Sequence, residues 1–219
     1  MAVVHWPVEL QHGQVGLRPL KATDGPEWSA ARQRNISWLR PWDATQPPGA
    51  DDGARTFRAM ARDWNRQARY GRMLPFVITY TGAAGPRAKR PLVGQLTVSG
   101  ITYGSARWAN LGYWVDEQYA GRGIVPAAVA LAADHCWFTL GLHRLEVAIR
   151  PENKASLRVV EKLGFRYEGD RPRFLHIDGE WRDHRIFALN AEAFKARLRA
   201  TGLLTHYSDA TSIVHGDQR

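Results

Sequence analysis

A single cysteine, Cys136, stands among the 219 residues. An intrachain disulfide is therefore excluded, and Cys136, on an apolar helical stripe, reads as a small buried residue. No apolar run approaches the ~20 residues that a bilayer-spanning helix needs. The opening Met1-Ala2-Val3-Val4-His5-Trp6-Pro7 has no basic segment followed by a long apolar core, so a secretory signal is not expected. A cytoplasmic location, with no membrane partner, is the default expectation. Metal-ligand spacing is missing as well. The eight histidines lack cysteine partners, and His135 and His143 stand too far apart for one helical face, so no metal is expected. His135 reads as a satisfied core histidine, and His176 and His184 as surface residues flanking a hairpin. There are no long basic runs. The 30 Lys and Arg against 21 Asp and Glu give a formal charge of +9, but they are spread along the chain. Such a balance favours anionic partners and argues against direct nucleic-acid binding.

The length suits one domain with an ample core. It is read as residues 1–204, followed by a polar tail without periodicity over 205–219. Strand-like runs are expected at Val15 to Leu20, Leu74 to Tyr80, Leu92 to Val98, Trp108 to Val115 and His143 to Ile149. Helices are expected from about Asp24 to Ile36, Asp51 to Arg69, Ile124 towards Leu140 and Asn153 to Leu163. A closing hairpin turns at Asp178-Gly179, and a short helix follows near Ala191 to Ala200. Trp38-Leu39-Arg40-Pro41-Trp42 is a rigid loop in which Trp38 is read as structural and Trp42 as a substrate contact. Mixed helices and strands around one strand-helix-strand crossover give an α/β or α+β layer fold, with a mostly antiparallel sheet on the N-terminal side.

The centre of the chain is Gly112 to Leu140. Gly121 and Gly123 bracket a tight turn that opens a helix. Ile124, Ala128, Leu131, His135 and Phe138 recur at helical spacing, with Val125, Val129, Ala132 and Cys136 as a second stripe, so burial nearly all round is expected. The first amides of a helix lack intrahelical partners and carry partial positive charge, and glycines let an anion reach them. Arg122 adds a formal charge. Pro126 has no N–H, so any phosphate must be held by Gly121 to Val125. No Gly-Lys-Ser/Thr follows, and the third glycine of a dinucleotide fingerprint is missing. An ordinary strand-turn-helix corner is the plain alternative.

Gln118-x-x-Gly121-x-Gly123 resembles the acetyl-CoA motif of the GNAT superfamily of N-acyltransferases. A second block agrees: Arg150-Pro151-Glu152-Asn153-Lys154-Ala155-Ser156-Leu157-Arg158-Val159-Val160-Glu161-Lys162-Leu163-Gly164-Phe165, continued by Arg166-Tyr167-Glu168-Gly169. With Trp38 to Trp42, these blocks look like the RimJ/RimL branch, over roughly Val15 to Leu189. The resemblance implies a GNAT-like mixed sheet with splayed central strands and flanking helices. It implies acetyl-CoA as co-substrate, against Tyr113, Trp114, Val115, Gln118, Gly121, Arg122, Gly123, Ile124, Val125, Asn153, Ser156 and Arg158. Asn153 competes between contacting the cofactor and capping the following helix. Trp42, Asn110 and Tyr113 are expected to contact the acceptor.

Two departures from the family pattern matter. Many members carry a tyrosine acid seven residues after the asparagine, where this chain has Val160. Many carry a glutamate just before the Gly-Tyr pair, where this chain has Asn110. Ser156 is then the nearby hydroxyl of the block, and Glu168 the remaining base candidate. The implied reaction is acetyl transfer to a primary amine, foremost the N-terminal α-amine of a protein such as a ribosomal protein. The alternatives are a small amine (a polyamine, an amino acid or an antibiotic) or a non-catalytic basic binding module on the same fold.

Overall fold

The computed structural model describes residues 6–50, 56–82 and 90–193. Expectations for the end of the last helix and the tail at 205–219 fall outside those residues, whereas the second helix, expected from Asp51, begins instead at Phe57, after the Thr56 cap. Eight strands form one sheet: β1 (Leu10–His12), β2 (Val15–Pro19), β3 (Leu74–Tyr80), β4 (Leu92–Thr102), β5 (Trp108–Val115), β6 (Arg144–Ile149), β7 (Arg166–Ile177) and β8 (Glu180–Asn190). Their order is β1-β2-β3-β4-β5-β6-β8-β7. Every neighbouring pair is antiparallel except β5 and β6. That exception follows from the crossover: a strand that leaves through a helix and returns beside itself must run parallel.

The helices are α1 (Gly25–Arg34), α2 (Ile36–Leu39), α3 (Phe57–Arg69), α4 (Ile124–Asp134) and α5 (Lys154–Leu163). They divide between the two faces of the sheet. On β5, Ala109, Leu111, Tyr113 and Val115 point into the larger core, with α4, α5 and Leu145, Val147 and Ile149 of β6. Trp114 points the other way, into a second cluster with Trp28 and Ala31 of α1 and Phe57, Met60, Ala61 and Trp64 of α3. The alternation of side chains along a strand thus assigns each β5 residue to one face.

Local signals place the ends of the elements. Thr56 caps α3 by accepting from the Ala59 amide. Gly164 closes α5 in the left-handed region (φ 76°) and the Phe165 amide donates to the Val160 carbonyl at 2.9 Å, the expected Schellman arrangement. Asp178 and Gly179 both have positive φ, 47° and 84°, as a two-residue hairpin turn requires. The central helix differs from expectation. α4 ends at Asp134 and continues as a π-helical turn over His135–Thr139. The wider turn rotates Phe138 off the apolar stripe, and it is 59% exposed. His176 and His184 also differ. Both are buried, because the last hairpin packs its inner face against the Trp42 loop and β6 instead of lying free. Among the described residues no helix is long and apolar enough to cross a membrane.

Candidate active site

The parallel register between β5 and β6 covers only three pairs: Trp108 with Arg144, Ala109 with Leu145, and Asn110 with Glu146. Beyond Asn110 the two strands part, so a fork opens between Leu111–Val115 and Val147–Ile149. The Asp116 amide donates to the Val93 carbonyl at 2.8 Å. This fixes the alternation of the antiparallel ladder with β4. Asn110, Gly112, Trp114 and Asp116 turn their peptide groups to β4, and Leu111, Tyr113 and Val115 turn theirs to the fork. Of the three β5 residues expected against the cofactor, Tyr113 and Val115 thus present their backbone to the fork, and Trp114 does not. Trp114 contributes its ring to the opposite face. The Val115 carbonyl already accepts from Trp38 Nε1 at 3.2 Å, which gives Trp38 the expected structural role and leaves the Val115 amide.

The chain then passes Asp116, buried and paired with Arg34 at 2.6 Å. Burial pushes its carboxyl up, but hydrogen bonds from Asn35, Arg34 and Gln118 outweigh this and hold it below the usual carboxylate range. The Gln118 side chain donates to Asp116 at 3.0 Å, so it braces the turn. Gly121 and Gly123 both lie at φ 76°, where only glycine is unstrained. A Cβ built on either meets nothing within 4 Å, so open space lies in front of both. Ile124 and Val125 bury their side chains in the core and can offer only amides. Arg122 lies exposed beside them, its guanidinium 5.5 Å from the Tyr119 ring. The result is an open cradle of N–H groups at a helix start, of the size and charge that suit a pyrophosphate.

Across the fork, Tyr113 Oη and Ser156 Oγ lie 2.7 Å apart. Burial pushes the Tyr113 phenol up to about 12, with the Ser156 hydrogen bond pulling the other way. The phenol is thus neutral at ordinary pH, and either hydroxyl of the pair can donate to the other. Val160, where many relatives have tyrosine, is in the core. The hydroxyl missing from α5 arrives from β5, which sequence spacing could not show. Asn153 caps α5: its Oδ1 accepts from the Ser156 amide at 3.0 Å, so only Nδ2 remains to donate to a cofactor. Arg158 is exposed on the outer side of α5.

On the opposite face, α1 and the following loop roof the sheet. Arg32 lies between the Trp28 and Trp114 rings, 5.6 and 5.4 Å from their centroids, and pairs with Asp43. Trp42 lies under Arg150 at 5.5 Å, and Arg150 donates to the Pro41 carbonyl at 2.7 Å. Trp42 thus stands at the open end of the fork, against the residue that follows β6. Asn110 sits at the base of the fork beside Glu146. Glu146 is the carboxylate that sequence reasoning missed at this point, since it comes from the neighbouring strand. It is not free: Arg144 lies at 2.8 Å and Arg171 at 3.7 Å.

Glu168, read from sequence as a base candidate, is placed elsewhere. It lies at the closed end of the fork, paired with Arg144 and with Arg166. Hydrogen bonds from Arg144 and Arg166 hold its carboxyl at about 2, too acidic to take a proton from an amine. The carboxylates of the last hairpin do not converge on a pocket. Asp178 pairs with Arg40, Glu180 with Arg182, and Asp183 accepts from the Arg173 amide. Among the described residues, no group of three or more His, Cys, Asp or Glu could hold a metal ion.

A forked mixed sheet with a glycine cradle at the helix start and a hydroxyl pair across the fork is the architecture of a CoA-dependent acyltransferase. The sequence profile described as "Acetyltransferase (GNAT) domain" matches residues 14–166, and the chain belongs to that family. It is an acyltransferase of the RimJ/RimL-like branch. It is 30% identical over 79% of its length to the probable N-acetyltransferase YjcK of Bacillus subtilis, covering 92% of that protein. It is 31% identical over 71% of its length to the ribosomal protein uS5-alanine N-acetyltransferase of Escherichia coli, covering 76% of it. The structure of Mycobacterium smegmatis RimJ, in complex with CoA-disulfide, superposes with a TM-score of 0.77 at 38% identity, over 90% of this chain and 96% of that one.

Proposed function

We propose that the protein transfers an acetyl group from acetyl-CoA to the N-terminal α-amine of a protein, with a ribosomal protein as the foremost candidate. When bound, acetyl-CoA supplies an activated carbonyl and a thiolate leaving group. The Gly121 to Val125 amides, with Arg122 beside them, hold the pyrophosphate. Asn153 Nδ2 flanks the arm that enters the fork, and Arg158, exposed on the outer side of α5, stands away from it. The Tyr113 and Val115 amides face the carbonyl oxygen and take up the charge that develops there. As nitrogen bonds to the carbonyl carbon and the carbon–sulfur bond breaks, Ser156, oriented by Tyr113, would pass its proton to the departing sulfur and be reprotonated by the proton that the attacking amine sheds. Trp42 and Asn110 border the acceptor.

The choice of acceptor is carried by one observation. The carboxylates around the acceptor face, Asp43, Glu146, Glu152 and Asp178, are each paired with arginine. Among the described residues, a polyamine or other multiply charged amine finds each of these four anions already committed to an arginine. A protein α-amine titrates near ~7.7–8.0 against ~10.4 for lysine, so it reaches its neutral form without a strong base. RimJ of Mycobacterium smegmatis and the uS5-alanine enzyme of Escherichia coli support the same choice.

The test is a competition among three acceptor pools with labelled acetyl-CoA. One holds peptides with free N-termini, one holds lysine-containing peptides with blocked N-termini, and one holds small amines. Labelling is expected in the first pool. Preferential labelling of either other pool overturns the acceptor, and no thermal stabilisation by acetyl-CoA at saturation overturns the cofactor assignment.

A further inference from the structure

A strongly basic surface lies away from the fork. α3 carries Arg58, Arg62, Arg66 and Arg69, all exposed and spaced by four, four and three residues, hence on one side of the helix. Its other side buries Ala61 and Ala68. Scattered in sequence, these arginines become a stripe only once the helix is formed. A groove of about 460 Å³ runs between Arg62, Arg66 and Arg69 on one side and Lys21 on the other, over Leu20 and Ala61. A second groove, of about 400 Å³, lies on the opposite flank of Arg62 and Arg66. Neither is lined by a residue of the fork.

A merely solvated helix face interleaves acids with bases at four-residue spacing. This one does not. The sole acid of α3 is Asp63, which pairs with Arg66. Among the described residues, no ion pair involves Arg58, Arg62 or Arg69. Arginines four apart repel, which costs helix stability, and an anionic partner relieves that repulsion. The residue type is informative too, since the planar guanidinium matches phosphate with two parallel N–H donors. From Arg58 to Arg69 the helix rises ~16 Å. A single nucleic-acid strand presents roughly five phosphates over that length, at ~3.4 Å each. α3 also shares its sheet face with α1, which roofs the acceptor side.

We propose that the arginine stripe of α3 is a docking surface for RNA, gripped through its phosphates, that holds an RNA-bound acceptor protein near the fork. The choice of RNA rests on the ribosomal-protein reading above, while the anionic phosphate chemistry rests on the stripe alone. The proposal runs against the reading, drawn from the scattered charges of the sequence, that argues against direct nucleic-acid binding.

The test is fluorescence anisotropy of a labelled single-stranded RNA titrated with the full chain across a salt series. Four neutralised phosphates predict a slope of log K on log salt of about −3, or about a 50-fold loss of affinity between about 50 and 200 mM salt. Arg62→Gln with Arg66→Gln should halve that slope, and Arg62→Lys with Arg66→Lys should keep it. Melting curves of both double variants establish that they fold. Acetylation of a short free peptide, which cannot reach α3, should be the same in wild type and Gln variant, whereas the same peptide tethered to RNA should show a raised KM in the Gln variant only. An unchanged slope in that variant overturns the proposal. So does competition by polyglutamate as effective as by RNA, or tighter binding of duplex DNA than of RNA. If no peptide is acetylated but RNA binding still depends on Arg62 and Arg66, acetyl transfer falls and the docking surface stands.

Discussion

Tyr113 and Ser156 are 43 residues apart in sequence and share a hydrogen bond. With the phenol at about 12, Tyr113 stays protonated through any ordinary assay range and cannot impose a descending limb on a pH profile. Turnover should therefore rise to a plateau near the acceptor's own pKa, ~7.7–8.0 for a protein α-amine. Ser156→Ala should lower kcat by about 10²-fold and Tyr113→Phe by roughly tenfold, both with little change in CoA affinity, since the proton matters only in the transition state. Steady-state kinetics beside a CoA titration checks this. Glu168 gives the opposite expectation. Its folded pKa of about 2 lies below the usual ~4.3, so its ion pairs contribute stability above that value and lose it as pH falls towards 2. Glu168→Gln should leave kcat within about threefold of wild type, well short of the 10²-fold or more expected of a catalytic acid–base group. Its melting temperature should fall below wild type at neutral pH, and the gap should close near pH 2. At this scale the sequence is legible where roles are local. Ser156, the glycine pair and the Asn153 cap are set by their immediate neighbours. Tyr113 as partner of Ser156, and Glu146 beside Asn110, depend on which strands adjoin.

Most elements were readable from period and punctuation, but β1 was not expected, and Trp38 to Trp42, read as a loop, lies in α2 and a 3-10 turn over Arg40–Trp42, where Pro41 sits in the first turn and does not break it. The π-helical turn after Asp134 was not readable, since the apolar spacing through Phe138 fits an unbroken α-helix equally well. Nor was the demand on Gly94. It sits in β4 opposite Val115, and a Cβ there would meet the Trp114 carbonyl oxygen at 2.3 Å. Only glycine lets β4 approach the end of β5 so closely. Gly94→Ala should cost about 1–3 kcal/mol of stability through overpacking. It should also weaken CoA binding, because the Trp114–Val115 backbone must shift where the Val115 amide faces the fork. Denaturant unfolding and a CoA titration measure the two losses separately. Gly123→Asp should abolish CoA binding, since it places a Cβ and a negative charge in the open space before the cradle, at φ 76°.

Over the whole molecule, the mostly antiparallel order and the single crossover were legible from alternating elements. The fork itself was known only through family resemblance, because its depth is set by a register that no local pattern encodes. That register leaves β1 to β5 and β6 to β8 joined in the sheet by three residue pairs, with helices packed across the larger core and the Asp43–Thr45 segment hydrogen-bonded to the last hairpin. The two halves of the sheet are thus separate ladders over most of their length, held by an apolar seam and by that segment. The connection between them in the chain is the short stretch from the π-helical turn to β6, where the Arg107 carbonyl accepts from the His143 and Arg144 amides. A protein built this way should tolerate a cut in its covalent backbone. Two polypeptides divided at Gly141, expressed together, should reassemble, and acetyl-CoA, spanning from the glycine cradle on one piece to Asn153 and Ser156 on the other, should act as the clasp that drives their association.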